Sequence, residues 1–144
     1  MTHILFLCTG NTCRSPMAKC LMEELARKRN LPVACDSAGF IALPGAPASR
    51  NAQWAMNTMG LSLKGHRAKR VSVALAEQAD VVLCMTEAHR REFMQRYPEQ
   101  AHKARVFSRP VPDPFGGSES LYLDTAFVLS DLIEEWARDF RTEK

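Results

Sequence analysis

The sequence predicts an α/β fold, a parallel sheet covered by helices on both faces. Three observations predict it. Ile4 to Cys8 is an unbroken apolar run, the pattern of a strand buried on both faces. Short runs of strand character alternate with segments of helical spacing, in the order β-α-β-α-β-α-β-α. The connections are long enough for right-handed crossovers between parallel strands.

The elements follow in order. After the Ile4–Cys8 strand, Ser15-Pro16 reads as an N-cap followed by a proline at the first helical position. Ala18, Leu21, Met22 and Leu25 then recur at helical spacing, predicting a helix over about 16–29 that Asn30-Leu31-Pro32 ends. Val33 to Ser37 reads as a second strand. Pro44-Gly45-Ala46-Pro47 is a loop, about 48–59 a helix, and Leu61 to Arg70 an irregular basic stretch. Val71 to Ala79 reads as a short helix, Asp80 to Met85 as a third strand and about 87–96 as a helix stopped by Tyr97-Pro98. Ala104 to Phe107 gives a weak fourth strand. Arg109 to Ser118, with three prolines and two glycines, gives a loop. Leu129, Leu132, Ile133, Trp136 and Phe140 mark an amphipathic C-terminal helix. Repeats, low-complexity tracts and linkers are absent, so residues 1–144 read as one domain.

Bulk properties narrow the function. The 144 residues are 46% hydrophobic and 24% charged, ordinary for a soluble globular chain. A net charge of +3 permits an anionic substrate but does not argue for nucleic acid. No apolar run reaches the length of a membrane span, and the N-terminus enters a strand without a signal-peptide pattern. Cys8, Cys13, Cys20, Cys35 and Cys84 make an odd count, which reads as free thiols in the cytoplasm. Cys8 and Cys13 are the only close pair, no second pair at ligand spacing follows, and His89 five residues after Cys84 is a spacing that helix starts meet by accident, so no metal is expected.

The chemistry concentrates in Cys8-Thr9-Gly10-Asn11-Thr12-Cys13-Arg14-Ser15. A phosphate dianion needs many donors at short range, and a loop of this length can aim its N–H groups inward. Gly10 is expected to supply the backbone freedom for that curvature. The following helix adds its positive end and Arg14 a planar fork for two phosphate oxygens. This positive potential is expected to lower the pKa of Cys8 and yield the thiolate that attacks phosphorus. Ser15 can donate a hydrogen bond to that thiolate. The bare spacing means little, because Cys84-Met85-Thr86-Glu87-Ala88-His89-Arg90 repeats it. That second match has no glycine, and Glu87 would repel phosphate, so Cys84 reads as a buried core thiol. The leaving group needs an acid from the same sheet edge. Asp113, held out of helix by Pro114, is the first candidate, and Asp36 at the end of the second strand is the runner-up.

Cys8 to Pro16 near the N-terminus, with Asp113-Pro114-Phe115 near the C-terminus, resembles the low-molecular-weight protein tyrosine phosphatase family over essentially the whole chain. The resemblance implies a flavodoxin-like three-layer sandwich with a four-stranded parallel sheet, a phosphocysteine intermediate and no cofactor. It implies Cys8 as nucleophile, Arg14 as phosphate clamp and Asp113 as acid. It also implies that Asn11, Ser37 and His66 brace the loop, and that Cys13 can form a reversible disulfide with Cys8. Without it, Lys64 to Arg70 would read as a solvated basic loop.

Two departures bear on substrate. Tyrosine-specific members usually carry a bulky aliphatic at the position of Thr12 and a tyrosine-rich stretch after Asp-Pro, where this chain has Phe115-Gly116-Gly117-Ser118. Both features resemble the bacterial protein-arginine-phosphatase branch, and Thr86, where many tyrosine-specific members have Asp, leans the same way. A hydroxyl at Thr12 offers polar contact near phosphorus, and the loss of an aromatic wall leaves room for a guanidinium. The expected partner is a phosphorylated protein, met by a monomer, without nucleic acid or membrane insertion. A thioredoxin-coupled arsenate reductase would need further downstream cysteines to relay a disulfide. A phosphocysteine carrier would need neither Arg14 nor Asp113.

Overall fold

Four parallel strands pair in the order β2-β1-β3-β4, where β1 is Thr2–Cys8, β2 Val33–Gly39, β3 Val81–Cys84 and β4 Ala104–Val106. The computed structural model describes residues 1–142, with side chains described to Arg138. Five helices connect or follow the strands: α1 Arg14–Arg29, α2 Arg50–Thr58, α3 Val73–Gln78, α4 Glu87–Arg96 and α5 Glu119–Thr142. No helix among the described residues is long and apolar enough to cross a membrane.

Both faces of β1 are covered, which is why its apolar run does not alternate with polar residues. Ile4, Phe6 and Cys8 pack into a core built with Met17, Leu21 and Leu25 of α1, Met56 of α2, and Leu129 and Ile133 of α5. Leu5 and Leu7 point the other way, into a second core with Ala76 of α3 and Phe93 of α4. Each of the leucine, isoleucine, methionine and phenylalanine side chains contributes about 1.5–3 kcal/mol by leaving water. Of the stripe predicted on α5, Leu129, Leu132 and Ile133 are buried and Trp136 packs at the margin, while the Phe140 side chain lies outside the described residues.

Two local expectations are corrected, and one element is added. First, α1 opens at Arg14, with Cys13 in the capping position and no side-chain cap, so Ser15 is not the N-cap. Pro16 still fits, because the third helical N–H has no intrahelical partner to lose. Second, β2 runs on to Gly39, where a side chain would strike the loop that follows β1. A Cβ there would stand 2.6 Å from Thr9 O and 2.9 Å from Asn11 N. In addition, Pro98–Lys103 forms a 3₁₀ helix, too short to leave a periodic signal.

The strand order places a switch point between β1 and β3. The chain leaves β1 toward β2 on one side and returns to β3 on the other. In open parallel sheets the crevice beyond the carboxyl ends at such a point receives ligands. The loops after β1, β3 and β4 meet there.

Candidate active site

The loop after β1 is braced from behind chiefly through Asn11. Asn11 takes a left-handed backbone, φ 56°, which asparagine tolerates better than most residues. Gly10 does not take a positive φ, so the expected hinge is displaced by one residue. Asparagine serves here because its side chain is also used. Its Nδ2 donates to Ser15 Oγ at 2.8 Å and to Ser37 Oγ at 3.0 Å. Its Oδ1 accepts from the Lys69 backbone at 3.0 Å. Its carbonyl accepts from His66 Nε2 at 2.8 Å, which fixes the hydrogen on that nitrogen. Asn11 is fully buried, so each of these bonds satisfies a group that water cannot reach. Residues 64–70 are thus a brace as well as a basic surface loop, and burial pushes the His66 pKa down.

Cys8 ends β1 with its sulfur inside this cradle. Ser15 Oγ lies 2.9 Å from Sγ, and the Asn11 N–H donates to it at 3.3 Å. Arg14 is 4% exposed. Its Nη1 donates to Val111 O at 2.8 Å, and Nη2 stands 3.7 Å from Asp113 Oδ2. The expected lowering of the Cys8 pKa is not the net outcome. Burial pushes the thiol up, while hydrogen bonds to Ser15, the charge of Arg14 and the Asn11 N–H pull it back. These groups stabilise the thiolate against a desolvation that outweighs them. Ser15→Ala removes the largest counterweight, so the midpoint for Cys8 alkylation by iodoacetamide is expected to move to higher pH. An unchanged or lower midpoint would show that Ser15 does not hold the thiolate.

Asp113 is positioned from a distance. The Val111 N–H donates to Met85 O just beyond β3, at 3.0 Å, and Val111 is fully buried. Two residues on, Asp113 is 48% exposed and accepts the Phe115 N–H at 3.1 Å, closing an Asx turn. Gly116, at φ 81°, supplies the third residue of a type II turn closed by the Gly117 N–H on Pro114 O at 2.8 Å. Asp36 does not reach the cleft, and Lys69 Nζ pairs with it at 2.6 Å.

Cys8, Thr9, Gly10, Thr12, Cys13, Arg14, Ile41, Asp113 and Phe115 line one pocket. It brings together the residues expected for nucleophile, clamp and acid, and the selectivity candidates Thr12 and Phe115. Ser15, Asn11, Ser37 and His66 stand behind it. Ile41, Leu43 and Phe115 are exposed, and Ile41 and Phe115 belong to the pocket lining. Cys84 is buried in β3, and Arg90 pairs with Glu87 instead of closing a second loop. No cluster of metal-ligating side chains occurs among the described residues.

Sequence reasoning misses several side chains, Ile41 of the pocket wall among them. Tyr122 OH and Ser49 Oγ lie 3.3 Å and 3.5 Å from Cys13 Sγ, tying the loop to α5 and α2. His89 Nε2 lies 3.0 Å from Thr9 Oγ1. The available signal was Thr86, whose hydroxyl accepts the His89 N–H at 3.2 Å and caps α4, putting His89 in its first turn at the carboxyl edge of β3.

A cysteine-to-arginine cradle on the switch point of a parallel sheet defines an α/β protein built to hold a phosphoryl-sized anion. The family model described as low molecular weight phosphotyrosine protein phosphatase matches residues 3–144, and the chain belongs to that family. It is 33% identical to a protein-arginine-phosphatase of Bacillus subtilis, with 98% of each chain covered. It is 32% identical to the low molecular weight protein-tyrosine-phosphatase Etp of Escherichia coli (strain K12), over 94% of this chain and 92% of that one. Among solved structures, a variant of the YwlE arginine phosphatase with a phosphorylated active-site serine superposes with a TM-score of 0.95. That match is 32% identical and covers 99% of this chain and 98% of the other.

Proposed function

We propose that this chain is a cysteine-dependent protein phosphatase that prefers phosphoarginine. In the first step the Cys8 thiolate forms a bond to phosphorus as the bond to the side-chain nitrogen breaks. Protonated Asp113 gives its proton to the departing guanidine. Arg14 and the loop N–H groups neutralise charge on the phosphoryl oxygens. In the second step Asp113, now a carboxylate, takes a proton from water as its oxygen attacks the phosphocysteine. Inorganic phosphate leaves and the thiolate returns, held by Ser15. No metal or cofactor enters either step.

The observation that carries the substrate preference is the pocket wall. Thr12 lines the pocket with Arg14 at a position where an aliphatic side chain would favour an aryl ring, and Asp113 can orient a guanidinium. The likeness to protein-arginine-phosphatases supports the same reading. The apolar rim of Ile41 and Phe115 favours the phosphotyrosine alternative. Peptides carrying phosphoarginine or phosphotyrosine decide between them, with wild type and Thr12→Ile compared on each. Wild type is expected to favour phosphoarginine in kcat/KM by at least about tenfold, and Thr12→Ile to shift the ratio toward phosphotyrosine. A wild-type preference for phosphotyrosine would overturn the arginine reading.

Cys13 is the proposed guard of Cys8. If an oxidant such as a peroxide converts Cys8 to its sulfenic acid, condensation with the Cys13 thiol gives a disulfide and water, which thiol reductants reverse. The five free cysteines fit a reducing compartment, and we assign the chain to the cytoplasm as a monomer acting on phosphorylated proteins.

A further inference from the structure

His89 is a buried histidine that neither the loop braces nor the acid–nucleophile pair uses. It is 8% exposed, and its ring stacks on Phe40 with centroids 5.8 Å apart and planes 24° apart. The Arg96 guanidinium lies over the Phe40 ring at 5.1 Å. The Thr86 hydroxyl fixes the His89 backbone at the start of α4, and the Phe40 ring stacks on one face of the imidazole. Nε2 meets Thr9 Oγ1 at 3.0 Å, while Nδ1 is buried without a hydrogen-bond partner.

That asymmetry selects the tautomer. With hydrogen on Nδ1, the ring would bury an unpaired N–H donor, which folded proteins rarely tolerate. With hydrogen on Nε2, the orphan is only a lone pair. The ring is held neutral as well. Burial, and then the charge of Arg14, depress its pKa to about 4, with Asp113 opposing. Neutral His89 therefore donates from Nε2, and the Thr9 oxygen accepts. A hydroxyl that accepts from behind keeps its own hydrogen for another acceptor. Thr9 lines the pocket between Cys8 and Gly10, and His89 does not.

We propose that His89 is a positioning residue for the phosphate pocket. Its Nε2–H donates to Thr9 Oγ1, so that the Thr9 hydroxyl presents its hydrogen to a bound phosphoryl oxygen. The inference rests on the reading of the pocket as a phosphate site, and it adds a side-chain donor to the backbone cradle.

The test uses inorganic phosphate, its binding followed by NMR titration of the intact protein, so the readout does not depend on turnover. His89→Phe keeps an aromatic ring against Phe40 and removes the donor. Thr9→Val removes the hydroxyl at nearly constant shape. Each is expected to weaken phosphate binding about tenfold, the scale of one hydrogen bond to a charged group. The double variant is expected to bind no more weakly than Thr9→Val alone, because His89 acts only through Thr9. His89→Gln, which offers an amide donor, should recover part of the loss. In the wild type, ¹⁵N shifts of the His89 ring should show hydrogen on Nε2 and a bare Nδ1.

A His89→Phe penalty that persists in the Thr9→Val background would reduce His89 to packing and overturn the proposal, as would hydrogen on Nδ1. If His89→Phe does not fold, the Thr9→Val titration and the wild-type ring shifts decide on their own. A protein that binds phosphate in this way but hydrolyses no phosphorylated side chain would sink the phosphatase reading and leave the His89 assignment standing.

Discussion

Cys8→Ser is expected to lose turnover by at least about 10⁴-fold while keeping its fold and its grip on phosphate. The substitution exchanges sulfur for oxygen at one buried atom. The Asn11 N–H and the Ser15 hydroxyl that now meet Sγ remain to satisfy the new hydroxyl. Stability should therefore change little, and inorganic phosphate should still bind. Chemistry should fail in both steps. A serine hydroxyl is far harder to ionise than a thiol, so attack on phosphorus slows. A phosphoserine, once formed, is a poorer leaving group than a phosphocysteine, so it persists. The variant is thus expected to accumulate up to one covalent phosphoryl group, visible in intact-protein mass and placed on residue 8 by peptide mapping. Steady-state rates within tenfold of wild type would remove Cys8 from the nucleophile's place.

How much of this was legible in the sequence differs by element. The sheet was readable because β1 is buried on both faces and so carries an unbroken apolar run. β4 was weak because three residues are too few to show a period. Within the loop, residue types were readable and their duties less so. Gly10 attracted the hinge assignment, yet Asn11 holds the left-handed conformation and lends its side chain to Ser15, Ser37 and the Lys69 backbone. Ser15-Pro16 has the form of a cap, but tertiary contacts drew the Ser15 hydroxyl to Cys8 and let the helix begin at Arg14. The thiol's environment is not legible in the sequence, because desolvation depends on what the whole fold packs around a sulfur. Contacts bridging about a hundred residues, such as Arg14 with Val111 and Cys13 with Tyr122, leave no local pattern. His89 is intermediate, since a threonine before a helix is a residue type that caps, but the ring's target, 80 residues earlier, leaves no local pattern.

Asp113→Asn should separate the two halves of the proposed reaction. The amide keeps an oxygen for the Phe115 N–H that closes the Asx turn, so the loop is expected to hold its shape. What is lost is the half-exposed pairing with Arg14, worth at most about 1 kcal/mol, and the exchangeable proton. On a substrate whose leaving group needs protonation, such as phosphoarginine or a simple alkyl phosphate, kcat should fall about 10²–10⁴-fold. With a nitrophenyl phosphate, whose phenolate leaves without help, formation of the phosphocysteine should be nearly normal. Its hydrolysis should still be slow, because no carboxylate remains to take the proton from water. The expected signature is a burst of about one nitrophenolate per enzyme, followed by slow turnover, with the phosphoryl group found on Cys8 by mass after acid quench. Equal losses on both substrates with no burst would assign Asp113 to holding Arg14 in place. An unchanged rate on the poor leaving group would exclude it as the acid and require a different donor at the mouth of the pocket.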